Sequence, residues 1–354
     1  MPCQSKTPGG ETPLATTPIR KAVVSAFGDV ENINVVSTTI DDPAPDHVQV
    51  RVTYSGFSGA DVNMRLGRYP MQKKAPLTPG YCLVGVVEKN GPKCNAFQPG
   101  DTVACLTVYD AEAELANVPE KYLVLVPSGI DRQKACALVL DWTTAYAMVV
   151  HTAKVRADQR VFVHGLSGAV GHALGELCSL QGATVYGTAS QRNHESLRAL
   201  GWTPYLYSNK DWMTAMQAMG GADVVFDALG FESWDESYSI LSSNHSLLIG
   251  YGGNLATLND QQARGVMFPT IKLLSRGLMC PIVHKNTKFF YITRDDKTFV
   301  PDLKVLFGLL SESKIGVRIK AVWNLQDIQE AHRNWGKPGS GIGSMLIRVA
   351  DGAK

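Results

Sequence analysis

The chain has 354 residues, 45% of them hydrophobic and 19% charged, with a formal net charge of +2. That length exceeds one ordinary core and suits two domains, while so small a net charge, with no basic run interleaved with aromatics, excludes a nucleic-acid binder. Seven cysteines stand scattered at 3, 82, 94, 105, 136, 178 and 280 with no C-x-x-C pair, the usage of free thiols in a reducing, cytoplasmic compartment.

Residues 1–18 are rich in Pro, Thr and Gly, carry no apolar run for a secretory signal or membrane anchor, and read as a disordered tail. From Ile19 short strands alternate with turn residues. The candidates are Lys21–Ala26, Ile33–Thr38, Val48–Ser55, Leu83–Glu88, Thr102–Leu106 and Lys121–Val126, punctuated by Asp-Pro, Asn-Gly-Pro and Gln-Pro-Gly-Asp. That rhythm suggests a compact, largely antiparallel barrel. Helical signals begin at Asp131. Asp141 reads as the N-cap of the following helix or, if it lies in a cleft, as a carboxyl whose pKa burial raises enough to hold a proton.

Residues 161–190, VFVHGLSGAVGHALGELCSLQGATVYGTAS, carry the clearest motif. A β-branched run, Val161–His164, stops at Gly165, and glycines recur at Gly168 and Gly171. A helix, Ala169–Leu180, and a second strand, Ala183–Thr188, follow. In such a unit the glycines permit a tight turn, close approach of a pyrophosphate and close helix packing, and the helix N-terminus holds the phosphates. Gly165, Ser167, Gly168, Ala169, Val170 and Gly171 are therefore the candidate cofactor-binding residues. His164 and His172, beside the glycines, read as neutral packing histidines.

An NAD-preferring unit ends its second strand with Asp or Glu, but here Ala189 and Ser190 stand there. With Ser190 and Arg192 able to donate to a 2′-phosphate, the cofactor expected is NADPH, favoured roughly ten- to a hundredfold. A solvated surface role is the alternative for Arg192. Helices at His194–Leu200, Asp211–Met219 and Ser233–Leu241 alternate with strands at Pro204–Tyr207, Asp223–Leu229 and His245–Tyr251, the pattern of a doubly wound parallel Rossmann sheet. Gly250, near the last strand's end, joins the cofactor candidates. An aromatic edge strand, Lys288–Thr293, needs a cover, most simply a second copy of the chain. An amphipathic segment, Val300–Ser313, a strand, Arg318–Trp323, a helix near Asp327 and a final Gly341–Val349 return to the barrel.

Several motifs in one order resemble the medium-chain dehydrogenase/reductase superfamily, in particular its zinc-free quinone oxidoreductase (zeta-crystallin-like) and enoyl reductase branch. They are SGFSGADVNMRLGRYP from Ser55, LTPGYCLVGVV from Leu77, FQPGDTVA from Phe97, TTAY from Thr143, the glycine turn, and EAHRNW from Glu330. The resemblance implies a GroES-like catalytic domain at 19–128 and 297–354 and a Rossmann domain at 129–296. Ser58 and Tyr81 stand where zinc-dependent relatives place a cysteine and a histidine, so no metal is expected, and Cys82 reads as a small buried thiol.

Carried over residue by residue, the resemblance implies that Tyr69 is a proton donor and that Thr144 faces the nicotinamide carboxamide. Ser58 replaces the Asn that relatives often hold beside the nicotinamide, and Tyr207 stands where relatives have a tyrosine near the adenosine phosphate, a packing role being the alternative. Met64, Trp142, Tyr146 and Met267 are candidate pocket liners. The activity implied is an NADPH-dependent, metal-independent hydride transfer to an α,β-unsaturated carbonyl or a quinone, by a homodimer with no nucleic-acid or membrane partner. A step without net redox change, such as isomerisation, and a nucleotide-binding structural protein without turnover are the rival readings.

Overall fold

The structure is a computed structural model that describes residues 16–262, 264–278, 284–337, 339 and 341–350. Most of the expected tail, residues 1–15, lies outside the described residues, as do Cys3 and Cys280. Its last part does not: Thr16–Pro18 open strand β1.

β1 (Thr16–Val24) and β2 (Ile33–Asp41) form an antiparallel ribbon in which Thr16 faces Asp41. Backbone bonds Ala22 N to Glu112 O (2.9 Å) and Glu114 N to Arg20 O (3.0 Å) tie it to the larger sheet. That sheet is built on β3 (His47–Phe57), β4 (Cys82–Asn90), β5 (Thr102–Leu106), β6 (Leu115–Pro119) and β7 (Val124–Leu125). β3 pairs with β4, with β6 and with a C-terminal strand, and Val48, Val50 and Val52 are fully buried. A short helix, α1 (Gly59–Arg65), which has no counterpart among the predicted elements, leaves the end of β3. The expected strand Lys121–Val126 shrinks to β7 after a 3-10 turn, because Pro119 and Pro127 bracket it and a proline gives the ladder no donor.

A long helical stretch follows, with α2 (Arg132–Ala137) and α3 (Thr143–Tyr146) separated and followed by wider π-type turns. The second sheet contains β8 (Arg160–Val163), β9 (Thr184–Ala189), β10 (Thr203–Leu206), β11 (Val224–Asp227), β12 (Ser246–Gly250) and β13 (Lys285–Phe289). All its pairings are parallel and the order is β10-β9-β8-β11-β12-β13. The order reverses between β8 and β11, which is where an open α/β sheet leaves a crevice for a ligand.

α4 (Ala169–Leu180), α5 (His194–Arg198), α6 (Asp211–Ala218) and α7 (Glu232–Ser239) supply the crossovers. α4 buries Leu174 and Leu177 against the sheet, each contributing roughly 1.5–3 kcal/mol. The edge strand is β13, three residues earlier than expected, and Phe290 extends its pairing by one bond to Gly250 O (2.8 Å). Beyond the short α8 (Leu255–Leu258), α9 (Met267–Leu278) packs beside β13, where Thr287 Oγ1 donates to Leu273 O. It exposes Met267, Phe268, Ile271, Leu274 and Leu278.

The chain then returns. β14 (Ile319–Asn324) pairs with β15 (Ser344–Arg348), and β15 lies antiparallel to β3, giving the first sheet the order β14-β15-β3-β4-β5-β7 with β6 also on β3. The architecture is a Rossmann sheet plus a GroES-like, largely antiparallel sheet domain. Among the described residues no helix is long and apolar enough to cross a membrane.

Candidate active site

The glycine turn is built as its spacing requires. Gly165 has φ +71°, a conformation that costs an L side chain roughly 1–2 kcal/mol. A Cβ on Gly171 would sit 2.1 Å from Gly165 O, so only glycine lets α4 start hard against the turn. No side chain caps α4, whose N-cap is Gly168, and its first amides are left for an anion at the positive end of the helix dipole. Thr188 fixes the turn by accepting from Gly165 N (3.1 Å) and Leu166 N (2.8 Å). Gly343 N donates to Ser167 O (3.2 Å) and Gly341 N to Asn193 Oδ1 (3.1 Å), so the C-terminal loop braces both the glycine turn and the turn after β9.

Beyond the carboxyl ends of β8 to β11 lies a cavity of about 340 Å³, lined by His164, Thr188, Tyr207, Lys210, Leu229 and Arg264 among others. β9 ends without a carboxylate, Ser190 is half-buried, and Arg192 is exposed on the following turn. Lys210 and Arg264 face the cavity while paired with Glu236 and Glu232 of α7. Neither was predicted, because both lie in loops, where sequence pattern carries no face. These residues fit a dinucleotide: a built phosphate turn, a crevice at the switch point and cations on its wall. Gly250 is not among the residues that line either this cavity or its neighbour. A Cβ there would meet Trp234 and Leu273 at 2.8 Å, so it is glycine for packing, and Tyr251 to Gly253 line the neighbouring cavity in its place.

That neighbouring cavity, about 260 Å³, is predominantly aromatic and apolar, and lies between the two sheets. It gathers Ser58, Tyr69, Asp141 and Thr144 with Val170 of the glycine turn. The four expected liners are elsewhere. Met64 and Trp142 are core residues, Tyr146 packs its ring beside His151 (5.9 Å), and Met267 is 74% exposed on α9.

Ser58 is the N-cap of α1: Ala60 N donates to its Oγ (3.2 Å), and its own N–H and hydroxyl donate to Asp61 Oδ2 (2.8 and 3.0 Å). Asp141 caps nothing. Asp131 caps α2 by accepting from Lys134 N (2.9 Å), and Asp141 falls within the continuing helical stretch. Its carboxylate is buried at the cavity wall, which pushes its pKa to about 7 against the opposing bond from Ser344.

Tyr69 Oη lies 2.6 Å from Tyr81 Oη and 3.2 Å from Tyr291 Oη, and burial raises the pKa of the Tyr69 phenol well above its ordinary value. Tyr291 was expected within an edge strand, and Tyr81 only as a vacated ligand position. The residues stand 12 and 222 positions from Tyr69, and no local pattern joins them.

His164 and His172 are neutral packing residues. Burial lowers both pKa values, that of His172 to about 4, and their rings pack on Trp212 (4.9 Å) and on Trp142 (5.9 Å) and Trp202 (5.7 Å). Cys82 is a buried thiol 3.8 Å from Cys136 O. Among the described residues no three or more His, Cys, Asp or Glu side chains cluster as metal ligands.

A GroES-like sheet domain, a Rossmann sheet and an apolar cleft between them define a dinucleotide-dependent oxidoreductase of the two-domain kind. The alcohol dehydrogenase GroES-like domain family matches residues 44–128, and the zinc-binding dehydrogenase family matches residues 169–273. The human synaptic vesicle membrane protein VAT-1 homolog is 30% identical over 343 residues, which span 93% of this chain and 86% of that protein. Mouse quinone oxidoreductase is 27% identical over 240 residues, 65% of this chain and 72% of its own length. The structure of Escherichia coli quinone oxidoreductase complexed with NADPH has the same fold, with a TM-score of 0.80 at 22% identity, covering 95% of this chain and all of that one. The chain belongs to the medium-chain dehydrogenase/reductase superfamily, in its zinc-free, quinone oxidoreductase-like branch. A nicotinamide dinucleotide is the cofactor that goes with that family.

Proposed function

We propose that the chain is an NADPH-dependent, metal-independent reductase of activated C=C bonds, in enones or enoyl compounds, or of quinones. The observation that carries this reading is the shared cavity: Tyr69, Thr144 and Asp141 line the same apolar cleft as Val170 of the phosphate-binding turn. A bound dinucleotide would supply the hydride from nicotinamide C4. The amides of residues 165–171 hold its diphosphate, Thr144 orients the carboxamide, and Tyr69 gives the proton that completes reduction. The aromatic walls exclude water, so each hydrogen bond to the charge developing on the acceptor's oxygen counts for more. Asp141, neutral below about pH 7, is a second donor there.

Metal independence is supported by what Ser58 and Tyr81 do. Both are engaged in other bonds, Ser58 in the α1 cap and Tyr81 with Tyr69, and a conjugated acceptor needs no Lewis acid to carry its charge. NADPH over NADH is supported by the missing carboxylate after β9, by Ser190 and Arg192 on the turn that follows it, and by Lys210 on the crevice wall. We assign the open edge of β13 and the exposed apolar face of α9 to a second copy of the chain, and the cytoplasm to a protein whose described cysteines are all free.

The test is nucleotide absorbance in chelator-dialysed protein across a panel of enones and quinones. Stoichiometric consumption of NADPH with substrate is expected. Tight NADPH binding with no consumption across the panel, or loss of turnover on chelation, would overturn the reading.

A further inference from the structure

The three phenols at the cavity wall differ in access to water. Tyr81 is 2% exposed and Tyr291 is 52% exposed, with half-buried Tyr69 in contact with both. Tyr81 precedes β4 in the GroES-like domain and Tyr291 follows β13 in the Rossmann sheet, and their hydroxyls close the triangle at 3.3 Å. Each phenol carries one O–H and two lone pairs, so three in mutual contact can each donate once and accept once, and a proton can pass between any two.

From this geometry we infer that Tyr81 and Tyr291 form a proton wire that refills Tyr69 from solvent after each reduction. The inference rests on Tyr69 as proton donor, and the wire's two members act through it as positioning residues. When the substrate anion takes the Tyr69 proton, the O–H bond breaks and a phenolate remains. Tyr291 re-protonates it directly or by way of Tyr81, and a water molecule returns a proton to Tyr291, leaving hydroxide in bulk solvent. No electrons move along the wire, and each turnover draws one proton from solvent.

The electrostatics favour that direction. Burial raises the pKa of both Tyr69 and Tyr81, so neither phenol holds a negative charge for long. The carboxylate of Asp61 opposes a lasting charge on Tyr81. The charge therefore moves outward, to Tyr291 and water.

The experiment needs no nucleotide. In protein labelled with 13C at tyrosine Cζ and dissolved in mixed H2O and D2O, the isotope splitting reports how fast each hydroxyl exchanges with solvent. Tyr291→Phe should slow exchange at Tyr69 by about tenfold or more, with Tyr81→Phe slowing it less because the Tyr69–Tyr291 contact survives. Tyr291→His, which keeps a relaying group, should restore most of the rate. If the cluster only braces the two domains, removing the Tyr291 hydroxyl would loosen it, and unchanged or faster exchange in folded Tyr291→Phe would overturn the wire. Tyr69→Phe assayed for turnover reads the donor role separately, so loss of that role and loss of the wire give different results.

Discussion

Ser344 Oγ donates to Asp141 Oδ2 at 2.6 Å, a bond across 203 residues that joins the first residue of β15 to the helical stretch lining the cleft. Burial raises the Asp141 pKa from 3.8 to about 7, and this bond holds it from rising further. The folded state keeps a proton that the unfolded chain releases, so the contribution of Asp141 to stability falls as pH rises from about 4 to about 7. Across that window the loss is on the order of 4 kcal/mol. Asp141→Asn should flatten the dependence of the urea midpoint on pH over that range. Ser344→Ala should move its upper end above pH 7.

Glu112 is fully buried, and neither of its carboxyl oxygens has a hydrogen-bond partner. Burial, with Asp61 nearby, pushes its pKa well above the ordinary carboxylate value. The same linkage applies: the folded state holds the proton more tightly, and stability is lost as pH rises past 4.5. Glu112→Gln, which is neutral at every pH, should therefore stabilise the protein at pH 8 while changing little at pH 4. Thermal melts at the two pH values decide it, and equal destabilisation at both would contradict the account.

Gly171→Ala places a methyl group 2.1 Å from Gly165 O, where the clash is with backbone and cannot be relieved by a rotamer change. It should cost roughly 1–3 kcal/mol or more and displace the start of α4. Dinucleotide affinity should fall with stability. Gly165→Ala meets no atom within 4 Å but must adopt φ +71°, so its cost should come from backbone strain alone.

On the proposed assignment of Arg192 to the 2′-phosphate, Arg192→Ala should weaken NADPH roughly ten- to a hundredfold, the worth of one charge-assisted contact, and leave NADH nearly unchanged. Competition binding with the two nucleotides measures the split. Equal weakening of both would remove Arg192 from the phosphate site.

The Rossmann half was legible because its central strands β8, β11 and β12 are almost wholly buried and its turns are punctuated by glycines: the turn at Gly165 and the helices at 169, 194 and 211 start where the pattern puts them. Thr102–Leu106 was read to the residue. What escaped did so for local reasons. β6 ends in Pro119 and includes Asn117, and α1 is a seven-residue helix that begins with a glycine. β13 reads KNTKF, too polar for a strand by hydrophobicity alone, so the signal shifted to the aromatics after it.

At the site, Ser58, Tyr69, Asp141 and Thr144 do share one cavity. Tyr81 and Tyr291 could not be joined to Tyr69 from sequence, since only the packing of two sheets brings their oxygens together. Met64, Trp142, Tyr146 and Met267 were misplaced because size and apolarity suit a pocket wall, a core and an exposed helix face equally.

The central claim is that this chain takes up a phosphorylated nicotinamide dinucleotide at the turn before α4. Calorimetric titration of the intact, folded protein tests it most directly. The account predicts one NADPH bound per chain, at least about tenfold more tightly than NADH. No heat of binding with either nucleotide would contradict it.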